Sequence, residues 1–167
     1  MSQNNSIQIK TSQIKILGLL ALALLSLFAL GNVQAEATKQ KVVYHINNDN
    51  PKYLAGALGN IQNHINAVGK DNLELRVVLH GNGLSLLLYP DALKNTKLQQ
   101  ANATEEMQAK ISGLKDQGIS FKICANTLKS KNIAETDLYD FSKADLVPSG
   151  VAELAILQGQ GFAYVKP

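Results

Sequence analysis

The residues with reactive side chains fall at matching places along this chain. His45, His80 and Cys124 each stand at or next to the end of a short apolar run, and an asparagine follows two positions later as Asn47, Asn82 and Asn126. Cys124 is the sole cysteine, so no internal disulfide can consume it. A thiol near an imidazolium or backbone N–H groups loses its proton more readily, and the thiolate is the form that attacks sulfur. Cys124 is therefore the candidate nucleophile and His80 the candidate that polarises it. His45, Asn82 and Asn126 are candidate ligand-binding groups at the same edge. Each has a plainer alternative. Cys124 can be an inert strand-end thiol, His80 can hydrogen-bond its own glycine turn, and His45 can point into a layer of helices. His64 falls on the polar side of a helical pattern and is expected to be solvated.

Other chemistries lack their signatures. No CxxC or HxxxH spacing is present, so no metal site is expected, and none of the cofactor patterns appears. Gly81-Asn82-Gly83 is a tight turn without the GxGxxG or Walker continuation that would cradle phosphates. A GxSxG nucleophile elbow is also missing.

The elements that must position these residues alternate between two periods. Lys41 to Ile46 is rich in β-branched residues and reads as a strand. Asn50 caps a helix with Pro51 at its first position, Leu54, Ala57, Leu58, Ile61, Ile65 and Val68 line one face, and Gly69 ends it. Leu73 to Leu79 is a second strand. Leu84 to Tyr89 is apolar but too short to assign, and Asp91 to Ala103 reads as an exposed or partly mobile connection. Thr104, Glu105 and Glu106 open a helix carrying Met107, Ile111 and Leu114, closed by Gly118. The pattern then predicts a strand over Ile119 to Cys124, a short helix over Ile133 to Phe141 and a strand over Ala144 to Val147. A helix over Gly150 to Leu157 capped by Ser149 and a closing strand over Phe162 to Val165 complete it. Strands alternating with helices predict a three-layer α/β/α sandwich with a mainly parallel sheet of about five strands. In such a sheet the crevice beyond the carboxyl ends of the strands collects the polar groups. If the three strands are neighbours, two imidazoles and a thiol share it.

Residues 1–35 contain no acid, carry Lys10 and Lys15 ahead of an apolar run from Ile16 to Leu30, and finish Val33-Gln34-Ala35. This is the pattern of a cleavable signal peptide, its run shorter than the ~20 residues a spanning helix needs. The expectation is export to the periplasm without a stable membrane anchor after cleavage, leaving residues 36–167 as one domain. Cleavage takes two of the 16 basic residues and no acid, leaving 14 against 13, so no basic patch for nucleic acid is expected. The run Leu84 to Tyr89 is more apolar than a short connection requires, which points to cover either by another subunit or by the sheet.

Several runs carry a resemblance. His80-Gly81-Asn82-Gly83-Leu84, Ile123-Cys124-Ala125-Asn126-Thr127-Leu128, Val147 to Leu154 and Gln158 to Pro167 together resemble exported members of the DsrE/DsrF-like family. The last of these is the most specific. The resemblance implies a five-stranded, mainly parallel sheet between helices and assembly of homo-oligomers as trimers or hexamers. In the sulfur-oxidising members it implies a cysteine that accepts sulfur as a persulfide and passes it on. Cys124 stands at the matching position. It implies a sulfurtransferase or sulfur carrier with a donor or acceptor protein as partner. The competing expectation is a non-catalytic small-ligand-binding or assembly protein of the same fold.

Overall fold

The computed structural model describes residues 38–167; the expected signal peptide of residues 1–35 lies outside them. Five parallel strands form one sheet in the order β4-β3-β2-β1-β5. They are β1 (Gln40–Ile46), β2 (Leu73–Leu79), β3 (Ser120–Cys124), β4 (Leu146–Val147) and β5 (Ala163–Val165). The helices are α1 (Pro51–Val68), α2 (Glu105–Asp116), α3 (Ala125–Lys131) and α4 (Gly150–Gly159). No helix among the described residues is long and apolar enough to cross a membrane.

Side chains of a strand alternate between faces, and this sheet is buried on both. Val42, Tyr44 and Ile46 of β1 join Leu75, Val77 and Leu79 of β2 beneath α1, whose Leu54, Leu58 and Ile61 are fully buried. Each such residue is worth about 1.5–3 kcal/mol relative to exposure. Val43 and Val78 point the other way, against Leu154 and Leu157 of α4 and Phe162. The Asn50 side chain accepts hydrogen bonds from the backbone of Lys52 and Tyr53, giving α1 the cap its sequence predicts.

Three expectations need correction, and one open alternative closes. The helix expected over Ile133 to Phe141 is a 3₁₀ turn at Glu135–Asp137 followed by irregular chain; the helix lies earlier, as α3, directly after β3. Asn132 and Asp140 both adopt left-handed backbone, which breaks any continuous helix there. The run Leu84 to Tyr89 needs no second subunit to cover it. Leu84, Leu86, Leu87 and Leu88 are 0–1% exposed within the single chain, and Leu88 bridges Leu138. Residues 91–103 are not an exposed connection throughout. Ala92, Leu98, Asn102 and Ala103 are buried, and the Asn102 amide donates to Ser85 Oγ and the Asp49 carbonyl, both at 3.0 Å. A buried amide with both donors satisfied costs little and fixes the segment. His64 is not simply solvated: it is half-buried, with Nδ1 3.2 Å from the Tyr44 hydroxyl.

Candidate functional site

Register brings the reactive residues to one face. His45 pairs with Val78, Lys122 pairs with Val78 from the other side, and Tyr164 pairs with Val43. Counting by two along each strand puts Tyr164, His45, His80 and Cys124 on the α4 face of four adjacent strands, β5, β1, β2 and β3. The expected neighbourhood of three strand ends is therefore realised, with β2 between β1 and β3.

The histidines form a linked pair. His45 Nε2 lies 2.6 Å from His80 Nε2, the rings stack with centroids 4.6 Å apart, and His45 Nδ1 lies 2.6 Å from the Tyr164 hydroxyl. His45 is buried yet has polar partners on both nitrogens, so it neither points idly into the helices nor stands alone. Lys166, just beyond β5, donates to the Asn47 side-chain oxygen. Desolvation, then the positive charge of Lys166 and the neighbouring His80, hold His45 down at about 4. Desolvation and Lys166 also lower His80. At neutral pH the His45 ring is uncharged and keeps a lone pair.

Cys124 ends β3 as the residue before α3 and is 4% exposed. A β-carbon added at Gly150, the first residue of α4, would stand 2.8 Å from His80 Cβ, 3.3 Å from His80 Cγ and 3.3 Å from Cys124 Cβ. His80 and Cys124 thus press against the same bare Cα from adjacent strands. No hydrogen bond joins the thiol to an imidazole among the described residues. Two links brace the loops: the Gly81 N–H donates to Thr127 Oγ1 at 3.0 Å, and the Asn126 N–H donates to the Pro148 carbonyl at 3.3 Å. The Asn126 side chain is exposed and Asn82 is half-buried; the 3₁₀ turn at Gly81–Leu86 carries Asn82. Neither side chain bonds to the histidines or the thiol.

Tyr164, Lys166 and Gly150 are the participants that residue type alone did not single out. The signal for Tyr164 was parity: once β5 lies beside β1, it falls on the His45 face. Among the described residues no cluster of three or more His, Cys, Asp and Glu is arranged to hold a metal ion.

The imidazole pair makes stability depend on acid. Between pH 6.5, the ordinary histidine value, and about 4, the unfolded chain binds a proton at His45 that the folded chain resists. Stability is then fully present above the upper value and falls as the pH drops through this window. One pKa unit is worth about 1.4 kcal/mol, which bounds the loss at about 3–4 kcal/mol. Urea midpoints should fall between pH 7 and mildly acidic pH, and His45→Gln should flatten that slope. An unchanged slope in the variant would contradict the assignment.

A family model described as the DsrE/DsrF-like family matches residues 41–167. Among solved structures the chain is similar to a protein of unknown function, MTH1491, from Methanobacterium thermoautotrophicum. The identity is 26% and the TM-score 0.63, over 77% of this chain and 100% of that one. It is also similar to the ychN protein from E. coli at 18% identity, with a TM-score of 0.57 over 77% of this chain and 99% of that one. The second likeness speaks for the fold alone. No curated protein matches the chain.

Proposed function

The chain belongs to the DsrE/DsrF-like family, and from that premise we propose that it takes up sulfane sulfur as a persulfide on Cys124 in the periplasm. The observation that carries the reading is the shared packing of Cys124 and His80 against Gly150. It brings the bases of the Cys124 and His80 side chains to one point at the carboxyl edge of a parallel sheet, where α/β proteins hold ligands. In the proposed step the thiol gives its proton to water, and the His80 ring N–H stabilises the thiolate that remains. The thiolate sulfur then attacks a sulfane sulfur of an inorganic polysulfide. One new S–S bond forms at Cys124, one S–S bond of the polysulfide breaks, and the shortened polysulfide leaves with the electron pair. Transfer to an acceptor thiolate reverses the sequence. Asn82 and Asn126 sit on the loops flanking this edge and are the candidates to contact donor or acceptor.

Export follows from the signal-peptide pattern of residues 1–35, with cleavage after Ala35. Assembly into a homo-oligomer, a trimer or hexamer, is part of the same reading. Its support is the exposure of three large apolar side chains, Val151 at 65% and Ile156 at 53% on α4 and Tyr164 at 44% on the edge strand.

The second reading is a non-catalytic binding or assembly protein that uses the same edge, and one specific observation favours it: Cys124 is only 4% exposed. Alkylation of the folded protein near neutral pH separates the two. The sulfur reading expects reaction at Cys124 in the native state, slowed in His80→Ala and lost in Cys124→Ser. A thiol that reacts only after unfolding leaves the binding reading standing and removes the other.

A further inference from the structure

Among the described residues, the same edge carries a positive charge that enters no ion pair. Lys166 has only the neutral Asn47 amide as partner, and it takes part in none of the ion pairs among the described residues. Beside it runs a directed chain of hydrogen bonds. If the Tyr164 hydroxyl donates to His45 Nδ1, then His45 carries its proton on Nε2 and donates to His80 Nε2. His80 must then carry its proton on Nδ1, which has no partner among the described residues. In that tautomer His80 Nδ1–H has no acceptor among the described residues and Lys166 has no acid, while the His80 ring is held by its 2.6 Å contact with His45.

We propose that the sheet edge between Lys166 and His80 binds a small oxyanion, with Lys166 supplying the charge, His80 Nδ1–H the directed hydrogen bond, and Tyr164 and His45 positioning the His80 ring. The charges that act on the site are few. Lys166 arrives from β5 and lowers both imidazoles, His45 comes from β1 and His80 from β2, and Tyr164 is the titratable group of the edge strand. An anion seated there offsets the lysine, so its binding raises the imidazole pKa values toward the ordinary one. The site needs no thiol. That its anion is a sulfur donor such as thiosulfate rests on the sulfur reading above; that it takes an oxyanion does not.

Thiosulfate and inorganic phosphate share the required chemistry and serve as the two probes. The titration follows the His45 and His80 ring signals by NMR in Cys124→Ser protein, so that sulfur transfer cannot contribute. We expect saturable shifts and an upward move of the ring pKa values. Lys166→Gln should weaken binding about tenfold or more, as loss of a hydrogen bond to a charged group implies. Lys70→Gln, an exposed lysine after α1, should leave it unchanged. Saturation by thiosulfate alone assigns a sulfur oxyanion, and saturation by both assigns a general oxyanion site. Lack of saturation by either probe, or equal binding by Lys166→Gln, overturns the proposal and leaves the sulfur uptake of Cys124 untouched. Conversely, failure of sulfur uptake with anion binding intact removes the sulfur reading alone.

Discussion

Gly83→Ala should be the most destabilising single substitution in the loops, costing on the order of 4 kcal/mol. A β-carbon there would stand 2.1 Å from the Ile46 carbonyl oxygen, 2.6 Å from its carbon and 2.9 Å from the Asn47 Cα. All three are backbone atoms at the end of β1, so no rotamer change relieves the clash. Either the 3₁₀ turn at Gly81–Leu86 lifts away or the end of β1 shifts. Lifting the turn uncovers Leu84 and Leu86, both fully buried. Shifting β1 disturbs the strand that carries His45. Urea unfolding measures the effect as a lower midpoint. Gly56→Ala is the contrast: it lies inside α1 with nothing within 4 Å of the added carbon, and alanine is the better helix former. That variant should gain about 0.5–1 kcal/mol. A Gly83 variant within about 1 kcal/mol of the parent would mean the turn does not press on β1.

The second large effect is expected at Gly150, on the site more than on the fold. Here the added carbon meets the β-carbons of His80 and Cys124, 2.8 and 3.3 Å away, which lie close to their own backbones and can yield only slightly. Overpacking of this kind typically costs about 1–3 kcal/mol. The chemical consequence is specific, because displacing His80 breaks its 2.6 Å contact with His45. Gly150→Ala should therefore remain folded, lose the coupled behaviour of the two imidazoles in NMR titration, and take up sulfur more slowly at Cys124. A variant with parental imidazole titration and parental sulfur uptake would show that α4 does not set the site.

How far the residues alone revealed this arrangement depends on whether local pattern or tertiary contact decides each segment. The strands of the sheet and the caps at Asn50, Thr104 and Ser149 are local signals, and the structure follows them. So are the strand-end positions of His45, His80 and Cys124. The segment after α3 misled because Ile133 and Leu138 are buried as separate anchors of an irregular chain rather than along one helix face. The Leu84 to Leu88 run left its cover open between another subunit and the chain itself. Its excess of apolar residues is consumed inside the chain, where the segment is hydrogen-bonded by Asn102, Ala103 and Tyr139 and bridged to Leu138. Both cases concern which surface a side chain meets, and spacing along the chain carries little of that. The pairing of His45 with Tyr164 and the closeness of Gly150 to Cys124 likewise needed strand order, since those residues lie far apart in sequence.

The central claim is that Cys124, despite its burial, is a thiol that accepts sulfur in the folded protein. Intact mass of the native protein after exposure to inorganic polysulfide, with the modified peptide mapped, tests it most directly. The account predicts a gain of one sulfur atom on Cys124, reversed by a reducing thiol and missing in Cys124→Ser. Native protein that keeps its parental mass while a control persulfide carrier is loaded under the same conditions would contradict it.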